Sequence, residues 1–334
     1  MKPVIFGLSG PTLTADEIAL FRDADPLGYI LMGRNCVDRD QMRALTDALR
    51  NLSGRADLPI LIDQEGGRVV RMKPPVWPAF PAPSAFAALY DRAPSSAIAA
   101  AKANGQALGM MLAEVGVTVD ATPLLDVAQP DMTGAIGDRS FGADPMQVAA
   151  LGRATLDGLA AAGVVGIVKH MPGHGRATVD SHLELPRVSA SADSLEHDLA
   201  PFATLSSAPM AMTAHVVFEA WDAENPATLS PTVIRDVIRG RIGFDGLLMT
   251  DDIDMKALSG APADKAAAAI AAGCDVVLDC WARLDEMAAI VGRLGDIAPA
   301  SRARLDRAMA GIDAVGPVPL ADLIATRDRL LALA

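Results

Sequence analysis

The feature that most constrains the fold is a regular alternation of short apolar runs and helical segments along the 334 residues. The runs are continuously apolar, which is typical of parallel strands that are covered on both faces. The eight predicted strands are Val4–Leu8, Tyr29–Met32, Ile60–Asp63, Val117–Asp120, Gly166–His170, Met210–Val217, Leu247–Asp251 and Val276–Asp279. The predicted helices lie at about Ala15–Arg22, Arg39–Asn51, Ser95–Val115, Pro145–Ala162, Asp193–Ser206, Pro231–Arg239, Pro262–Ala272 and Leu284–Leu294.

This order of elements predicts an α/β fold with a single (β/α)8 TIM-like barrel, because eight βα units favour a closed barrel over an open sheet. No GxGxxG motif opens the first helix, which weakens a dinucleotide-binding alternative. The capping box Thr14-Ala-Asp-Glu17 marks the start of that helix. We expect one domain over residues 1–334, with Ala298–Ala334 forming helices packed on the outside of the barrel.

Charge and apolar content limit the possible partners and the compartment. The net charge of −12 opposes binding to nucleic acid or to an anionic membrane, since both need a positive field. The longest apolar runs, such as Ala266–Ala272, are far shorter than a membrane span, and the N-terminus resembles a strand more than a secretory signal. Three cysteines without CxxC spacing suit reduced thiols. We therefore expect a soluble cytoplasmic protein.

Polar residues collect where four of the predicted strands end. The third strand runs into "IDQEGGRVVRM", the fifth into "KHMPGHG", the sixth into "TAHVVF" and the seventh into "MTDDIDM". Four of the five histidines lie at these ends or in the loop that follows one of them. Any one of these residues could simply cap a strand. Together they favour an active site at the carboxyl end of the barrel.

The stretch "KHMPGHGRATVDSHLELP" could bind a metal, bind a phosphate or transfer a proton. His170 and His174 have the i, i+4 spacing of zinc ligands, but Pro172 disfavours the helix that this spacing requires. The glycines around His174 could form a backbone nest for a phosphate, although no GK[ST] signature accompanies them. We therefore regard both readings as weaker than proton transfer, and His174 as a structural residue.

Proton transfer fits Asp180 and His182, which are two residues apart in a predicted loop. The carboxylate could orient the imidazole and stabilise its charged form, which would make a general acid and base. A surface Asp-x-His pair in a mobile loop remains the alternative. Asp251 ends an apolar strand, so its carboxylate should point into the barrel mouth and stay ionised beside Lys169, as a nucleophile must. Asp252 should point elsewhere or form local hydrogen bonds.

These motifs together resemble one family. "IDQEGGRVVRM", "GDRSFG", "KHMPGHG…DSH" and "TDDIDM" occur in the order and spacing of the bacterial β-N-acetylglucosaminidases of glycoside hydrolase family 3. The resemblance extends over about residues 4 to 295 and is to the single-domain branch that works in cell-wall recycling. The chain departs from the family at Met171, where Phe is usual, and at Asp254, where a small residue is common.

The resemblance implies a retaining exo-glycosidase that removes a terminal β-linked N-acetylglucosamine. It assigns the nucleophile to Asp251 and the acid/base to His182, held by Asp180. The residues that it implies for binding the sugar in the −1 subsite are Asp63, Arg71, Arg139, Lys169 and His170. It further implies N-acetylglucosaminyl-1,6-anhydro-N-acetylmuramoyl peptides as substrates. Because such a mechanism needs no Lewis acid, we expect no metal and no cofactor, and we expect a monomer. The alternatives are a β-glucosidase or xylosidase of the same superfamily, a substrate-assisted hexosaminidase, and a catalytically inactive sugar-binding barrel.

Overall fold

A computed structural model describes residues 1–312 and 318–334, and within them eight parallel strands close into a barrel. The described residues form ten strands, of which eight belong to the barrel. In chain order they are β1 Lys2–Gly7, β2 Pro26–Leu31, β3 Ile60–Ile62, β4 Val119–Asp120, β5 Val165–Met171, β6 Arg187–Val188, β7 Met210–Thr213, β8 Val217–Phe218, β9 Leu247–Asp252 and β10 Val276–Asp279. Around the barrel the order is β1-β10-β9-β7-β5-β4-β3-β2, while β6 and β8 pair separately. The predicted TIM-like barrel is confirmed.

Helices on the outside connect the strands. They are α1 Ala15–Ala24, α2 Arg39–Ser53, α3 Pro83–Tyr90, α4 Pro94–Glu114, α5 Pro145–Ala161, α6 Ala192–Thr204, α7 Pro262–Ala272, α8 Leu284–Arg293, α9 Pro299–Met309 and α10 Leu320–Leu331. A π-helix spans Val233–Arg241, and 3-10 turns lie at Gly33–Asn35, Gly137–Arg139 and Ala227–Leu229. The predicted capping box at Thr14 is present, since the Thr14 and Glu17 side chains each accept a hydrogen bond from the other's main chain. No helix in these residues is long and apolar enough to cross a membrane.

Two predicted elements differ from the structure by more than a shift of their ends. The run Met210–Val217 is not one strand, because the barrel strand β7 ends at Thr213. Val217 begins β8, which pairs with Arg187 of β6 instead of with the barrel. The helix predicted over Pro231–Arg239 does begin at Pro231, but it is wound as a π-helix from Val233 and extends to Arg241.

The C-terminal segment contributes two helices that pack on different parts of the barrel. Leu305 and Met309 of α9 join the apolar cluster inside the barrel, and Ser301 Oγ donates to Asp275 Oδ1 at 2.6 Å. This helix closes the amino-terminal end, opposite the mouth. Helix α10 packs on α4, where Arg327 Nη1 donates to Asn104 Oδ1 at 3.2 Å. Residues 313–317 lie outside the described residues, and the one-domain division stays a prediction.

Candidate active site

All eight predicted site residues line one pocket at the carboxyl end of the barrel. They are Asp63, Arg71, Arg139, Lys169, His170, Asp180, His182 and Asp251. The pocket is there because parallel strands all present their carboxyl ends to the same edge of the barrel. The topology thus brings together residues from β5 and β9 and from the loops after β3, β4 and β5. The roles that the sequence predicts for these eight residues stay predictions.

One side of the pocket is a cluster of ion pairs that we call the charged wall: Asp63, Glu65, Arg71, Arg139 and Lys169. Lys169 Nζ lies 2.7 Å from Glu65 Oε1 and 3.3 Å from Asp63 Oδ1. Arg139 donates to both oxygens of Glu65 at 2.8 Å, and Arg71 Nη2 donates to Asp63 Oδ2 at 2.9 Å. Such bidentate and charge-assisted bonds hold planar groups in fixed orientations. The wall is therefore a rigid surface of donors and acceptors.

Electrostatics keep the charged wall ionised although it is buried. Burial alone would raise the pKa of Glu65, but Lys169 and Arg139 outweigh it and lower this pKa to about 2. The pKa of Asp63 is also below its usual value, because Lys169 and Arg71 outweigh the effect of burial. Burial would lower the pKa of Lys169, and the two carboxylates reverse that effect and raise it. Each charge thus depends on its partners.

A second network, around Asp126, sets the orientation of His170. Asp126 Oδ2 lies 2.7 Å from His170 Nδ1, while Asp126 Oδ1 accepts the main-chain N–H groups of His170 and His174 at 3.2 and 2.7 Å. Burial would raise the pKa of Asp126, but His170 outweighs it and the pKa falls to about 2. An ionised carboxylate only accepts, so His170 Nδ1 carries a proton and Nε2 faces the pocket. That Nε2 lies 4.0 Å from Asp251 Oδ2.

Asp251 and Asp252 are adjacent at the end of β9 but have opposite electrostatic environments. Burial would raise the pKa of Asp251, yet His170 and His215 outweigh it and lower this pKa. Asp251 Oδ1 accepts the main-chain N–H of Asp252 at 2.8 Å, and 20% of the side chain remains exposed. Burial raises the pKa of Asp252 to about 7. Asp251 is thus the carboxylate of the pair that is favoured in its ionised form.

Local hydrogen bonds hold Asp252, as predicted. Its Oδ1 accepts the main-chain N–H groups of Asp254 and Cys280, at 3.2 and 3.4 Å. Asp254 is one of the two departures from the family pattern, and its carboxylate pairs with Arg283 Nη2 at 2.7 Å. The other departure, Met171, is fully buried. The extra negative charge of Asp254 is thus compensated at the edge of the pocket.

Asp180 and His182 lie on the loop after β5, which we call the β5 loop (residues 172–186). Asp180 Oδ1 accepts from the main-chain N–H of His182 at 2.9 Å and lies 2.8 Å from its Nδ1. Burial would raise the pKa of Asp180, but the hydrogen bonds from His182 outweigh it and lower this pKa. The ionised carboxylate only accepts, so the proton of this hydrogen bond lies on His182 Nδ1, and Nε2 takes no part in it. The side chain of His182 is 65% exposed.

Three residues of these networks were not predicted to take part in the site: Glu65, Asp126 and His215. Glu65 lies two residues after Asp63 in "IDQEGGR", so its position after a strand was an available signal. His215 was recognised only as a strand-end histidine; its Nδ1 lies 2.7 Å from Thr228 Oγ1 and its Nε2 lies 3.0 Å from the Asp252 carbonyl. Asp126, in the loop after β4, carried no motif of its own.

A half-buried ionised carboxylate, a charged wall and a carboxylate-held histidine in one pocket are typical of the active site of a barrel enzyme that acts on a small polar substrate. In residues 1–312 and 318–334, no group of three or more His, Cys, Asp or Glu side chains is arranged to hold a metal ion. That the enzyme needs no metal and no cofactor stays a prediction.

Comparisons with known proteins identify the family. The model of the glycosyl hydrolase family 3 N-terminal domain matches residues 15–313. A β-hexosaminidase of Alkalilimnicola ehrlichii is 40% identical over 92% of this chain and 88% of its own length, and one of Aromatoleum aromaticum is 37% identical over 96% and 90%. The crystal structure of NagZ from Neisseria gonorrhoeae in complex with N-trifluoroacetyl-D-glucosamine superposes with a TM-score of 0.88 at 32% identity, covering 100% of this chain and 98% of that one.

The chain therefore belongs to glycoside hydrolase family 3, in its single-domain β-N-acetylglucosaminidase branch. The resemblance inferred from the four sequence motifs is confirmed, and so is the prediction of a β-N-acetylhexosaminidase.

Proposed function

We propose that the protein is a retaining exo-glycosidase that removes terminal β-linked N-acetylglucosamine from 1,6-anhydro-muropeptides. The observation that carries the proposal is that the ionised Asp251 and the Asp180–His182 pair line the same pocket. The structural relative that contains N-trifluoroacetyl-D-glucosamine supports an N-acylated glucosamine as the sugar that is bound. The charged wall offers carboxylates to accept from sugar hydroxyls and cations to donate to hydroxyl or acetamide oxygens.

In the first step, Asp251 attacks the anomeric carbon and the bond from that carbon to the leaving oxygen breaks. His182 Nε2 gives its proton to the leaving oxygen as the bond breaks, so the aglycone departs as an alcohol. The low pKa of Asp251 keeps its carboxylate available as the nucleophile. The product of this step is a covalent glycosyl ester of Asp251.

In the second step, the same imidazole acts as a base. His182 Nε2, now without its proton, takes one from water, and the water oxygen attacks the anomeric carbon. The ester bond to Asp251 breaks and the carboxylate is regenerated, with the product in its original β configuration. Asp180 stabilises the imidazolium before the first step and after the second, because its carboxylate bonds to His182 Nδ1.

The muropeptide aglycone is proposed because it is anionic and the pocket lining includes Arg68, whose guanidinium is partly exposed. Arg68, Arg71 and Arg139 all line the pocket of a chain whose net charge is −12. Arg68 pairs with Asp138 at 2.8 Å and stays 46% exposed, so its outer face is open to a carboxylate of a peptide stem. We further propose that the enzyme works in the cytoplasm as a monomer. Three free cysteines support a reducing compartment.

Turnover of a chromogenic N-acetyl-β-glucosaminide, compared with the matching β-glucoside, β-xyloside and muropeptide, tests this function. We expect cleavage of the N-acetylglucosaminide and of the muropeptide, with the β-anomer as the first product seen by NMR. Preference for the glucoside or xyloside would instead favour the other activities of the superfamily. Sugar binding without any turnover would mean an inactive binding barrel. A first product with the α configuration would exclude the retaining mechanism.

A further inference from the structure

Ser181 is buried although its neighbours in the β5 loop are the half-buried Asp180 and the exposed His182. Only 5% of Ser181 is exposed, compared with 32% of the Asp180 side chain and 65% of the His182 side chain. Its Oγ lies 3.2 Å from His174 Nε2, and its carbonyl accepts the main-chain N–H of Ala257 at 3.2 Å. Ser181 therefore joins the part of the β5 loop that carries Asp180 and His182 to the beginning of the same loop, at His174, and to the segment after β9, at Ala257.

The His174 side of this contact is fixed. The main-chain N–H of His174 donates to Asp126 Oδ1 at 2.7 Å, and its ring packs edge-on against His170 with the ring centres 5.7 Å apart. The next residue, Gly175, is pressed against Val127, where a Cβ atom would lie 1.9 Å from the Val127 carbonyl oxygen. The chain therefore has no room to shift at this point, and His174 provides a rigid partner for Ser181.

The hydrogen-bond roles follow from burial. Burial and the neighbouring His170 lower the pKa of His174 to about 4, so the imidazole is neutral at neutral pH. Its Nδ1 is buried without a hydrogen-bond partner in the part of the chain that the structure describes. Buried donors are left unpaired less often than buried acceptors, so the single ring proton belongs on Nε2. His174 Nε2–H then donates to Ser181 Oγ.

We propose that Ser181 is a positioning residue that holds the Asp180–His182 pair over the pocket through His174 and Ala257. This inference rests on the proposed role of His182 as the acid/base. His182 must come within hydrogen-bond distance of the leaving oxygen in the first step and of the water oxygen in the second. The loop that carries it therefore has to be held in place. Both contacts are 3.2 Å long, within the range of hydrogen bonds, and together they hold the loop from two sides.

The test is Ser181→Ala, which removes the hydroxyl and keeps the carbonyl bond to Ala257. We expect kcat to fall about 3- to 10-fold, the fold-change that corresponds to one lost hydrogen bond, while KM stays the same because the charged wall is untouched. Amide hydrogen exchange should become faster in peptides covering residues 176–185 and stay unchanged in the barrel strands.

Ser301→Ala is the matched control. Ser301 is also buried and its Oγ donates to a carboxylate, Asp275, but it lies at the amino-terminal end of the barrel. This variant should lose the hydrogen bond of a buried hydroxyl group without any change in kcat or in the amide hydrogen exchange of the β5 loop. If it lowers kcat as much as Ser181→Ala does, the effect is a general loss of stability and the proposal is overturned.

A second test combines Ser181→Ala with His182→Ala. Because Ser181 acts through His182, we expect removal of its hydroxyl to cost almost nothing in kcat once His182 is absent. An equal loss in both backgrounds would overturn the proposal, and so would unchanged exchange of the β5 loop in Ser181→Ala. If His182→Ala alone keeps full turnover, then the proposed role of His182 fails first, and the effect assigned to Ser181 fails with it.

Discussion

The charged wall and the β5 loop face the same pocket but are built in opposite ways. In the wall, the side chains of Glu65 and Lys169 are 0% and 3% exposed and form ion pairs that hold both charges in place. In the loop, His182 is 65% exposed and has one carboxylate partner, Asp180. The wall is suited to hold a substrate without changing its own protonation. The loop is suited to gain and lose a proton in every catalytic cycle.

This difference indicates that the residues most important for stability and those most important for catalysis lie in different parts of the pocket. A buried ion pair fixes geometry, but the fold then depends on every member of the pair being present. An exposed pair contributes little to stability, so its residues can serve catalysis alone. Asp251 lies between these extremes, because it is 20% exposed and is kept ionised by buried histidines. Substitutions in the two regions should therefore separate loss of activity from loss of stability.

The largest effect should come from Asp251→Ala. Without the nucleophile there is no covalent route, so turnover should fall by about 10⁴-fold or more. Steady-state hydrolysis of the chromogenic N-acetylglucosaminide measures this loss. Binding of N-acetylglucosamine should persist, because the charged wall is unchanged. Residual activity above about one per cent would contradict the role of Asp251.

His182→Ala should reduce turnover by about 10²–10⁴-fold, with a smaller loss for leaving groups that need no protonation. Asp180→Asn should cost less, because the imidazole remains and loses only its partner. Rates for a series of aryl N-acetylglucosaminides whose phenols differ in pKa measure the effect. Urea unfolding should be nearly unchanged in both variants. An equal loss with activated and unactivated leaving groups would show that His182 is not the acid.

Lys169→Met should give the largest loss of stability. It leaves the buried carboxylates of Asp63 and Glu65 without this cation, and breaking such a buried pair costs about 3–5 kcal/mol in the free energy of unfolding. Asp180→Asn, the matched change in the loop, should cost less than about 1 kcal/mol. Urea unfolding of the three proteins measures both changes. Similar losses in the two variants would remove the distinction between wall and loop.

The last prediction depends on pH and concerns Asp252, whose pKa burial raises to about 7. The folded protein holds this proton more tightly than the unfolded chain, in which an Asp carboxyl has a pKa of about 3.9. Ionisation of Asp252 therefore lowers wild-type stability as pH rises from about 4 to about 7. Asp252→Asn lacks this loss, so its unfolding free energy should exceed that of the wild type above pH 7 and match it below pH 4. A gap that does not depend on pH would contradict the raised pKa.

The barrel was predictable because its strands are continuous apolar runs and its connections are local. In β5, for example, "VGIVKHM" places Lys169 and His170 at the strand end, where the barrel topology brings them near Asp63 and Asp251. The strand-end rule needs only sequence order and strand direction, so it found these residues.

The contacts that tune the site were not predictable, because they depend on the paths of loops. Glu65 and Arg139 are 74 residues apart, and neither strand periodicity nor a motif indicates that they form a bidentate pair. Likewise, Asp126 binds His170 and His174 from a different loop, 44 and 48 residues away in the chain. The end of β7 at Thr213 was also not predictable, since apolar residues continue in the sequence beyond it.

The most direct test of the account is to trap the glycosyl-enzyme. A fluorinated N-acylglucosaminide with a good leaving group should slow breakdown of the intermediate more than its formation, because fluorine destabilises both transition states and the leaving group rescues the first step. Mass spectrometry should then find one sugar per chain, within the peptide "LLMTDDIDM" on Asp251, and no labelling in Asp251→Ala. A label on Asp252, or an inverted product without any covalent adduct, would contradict the account.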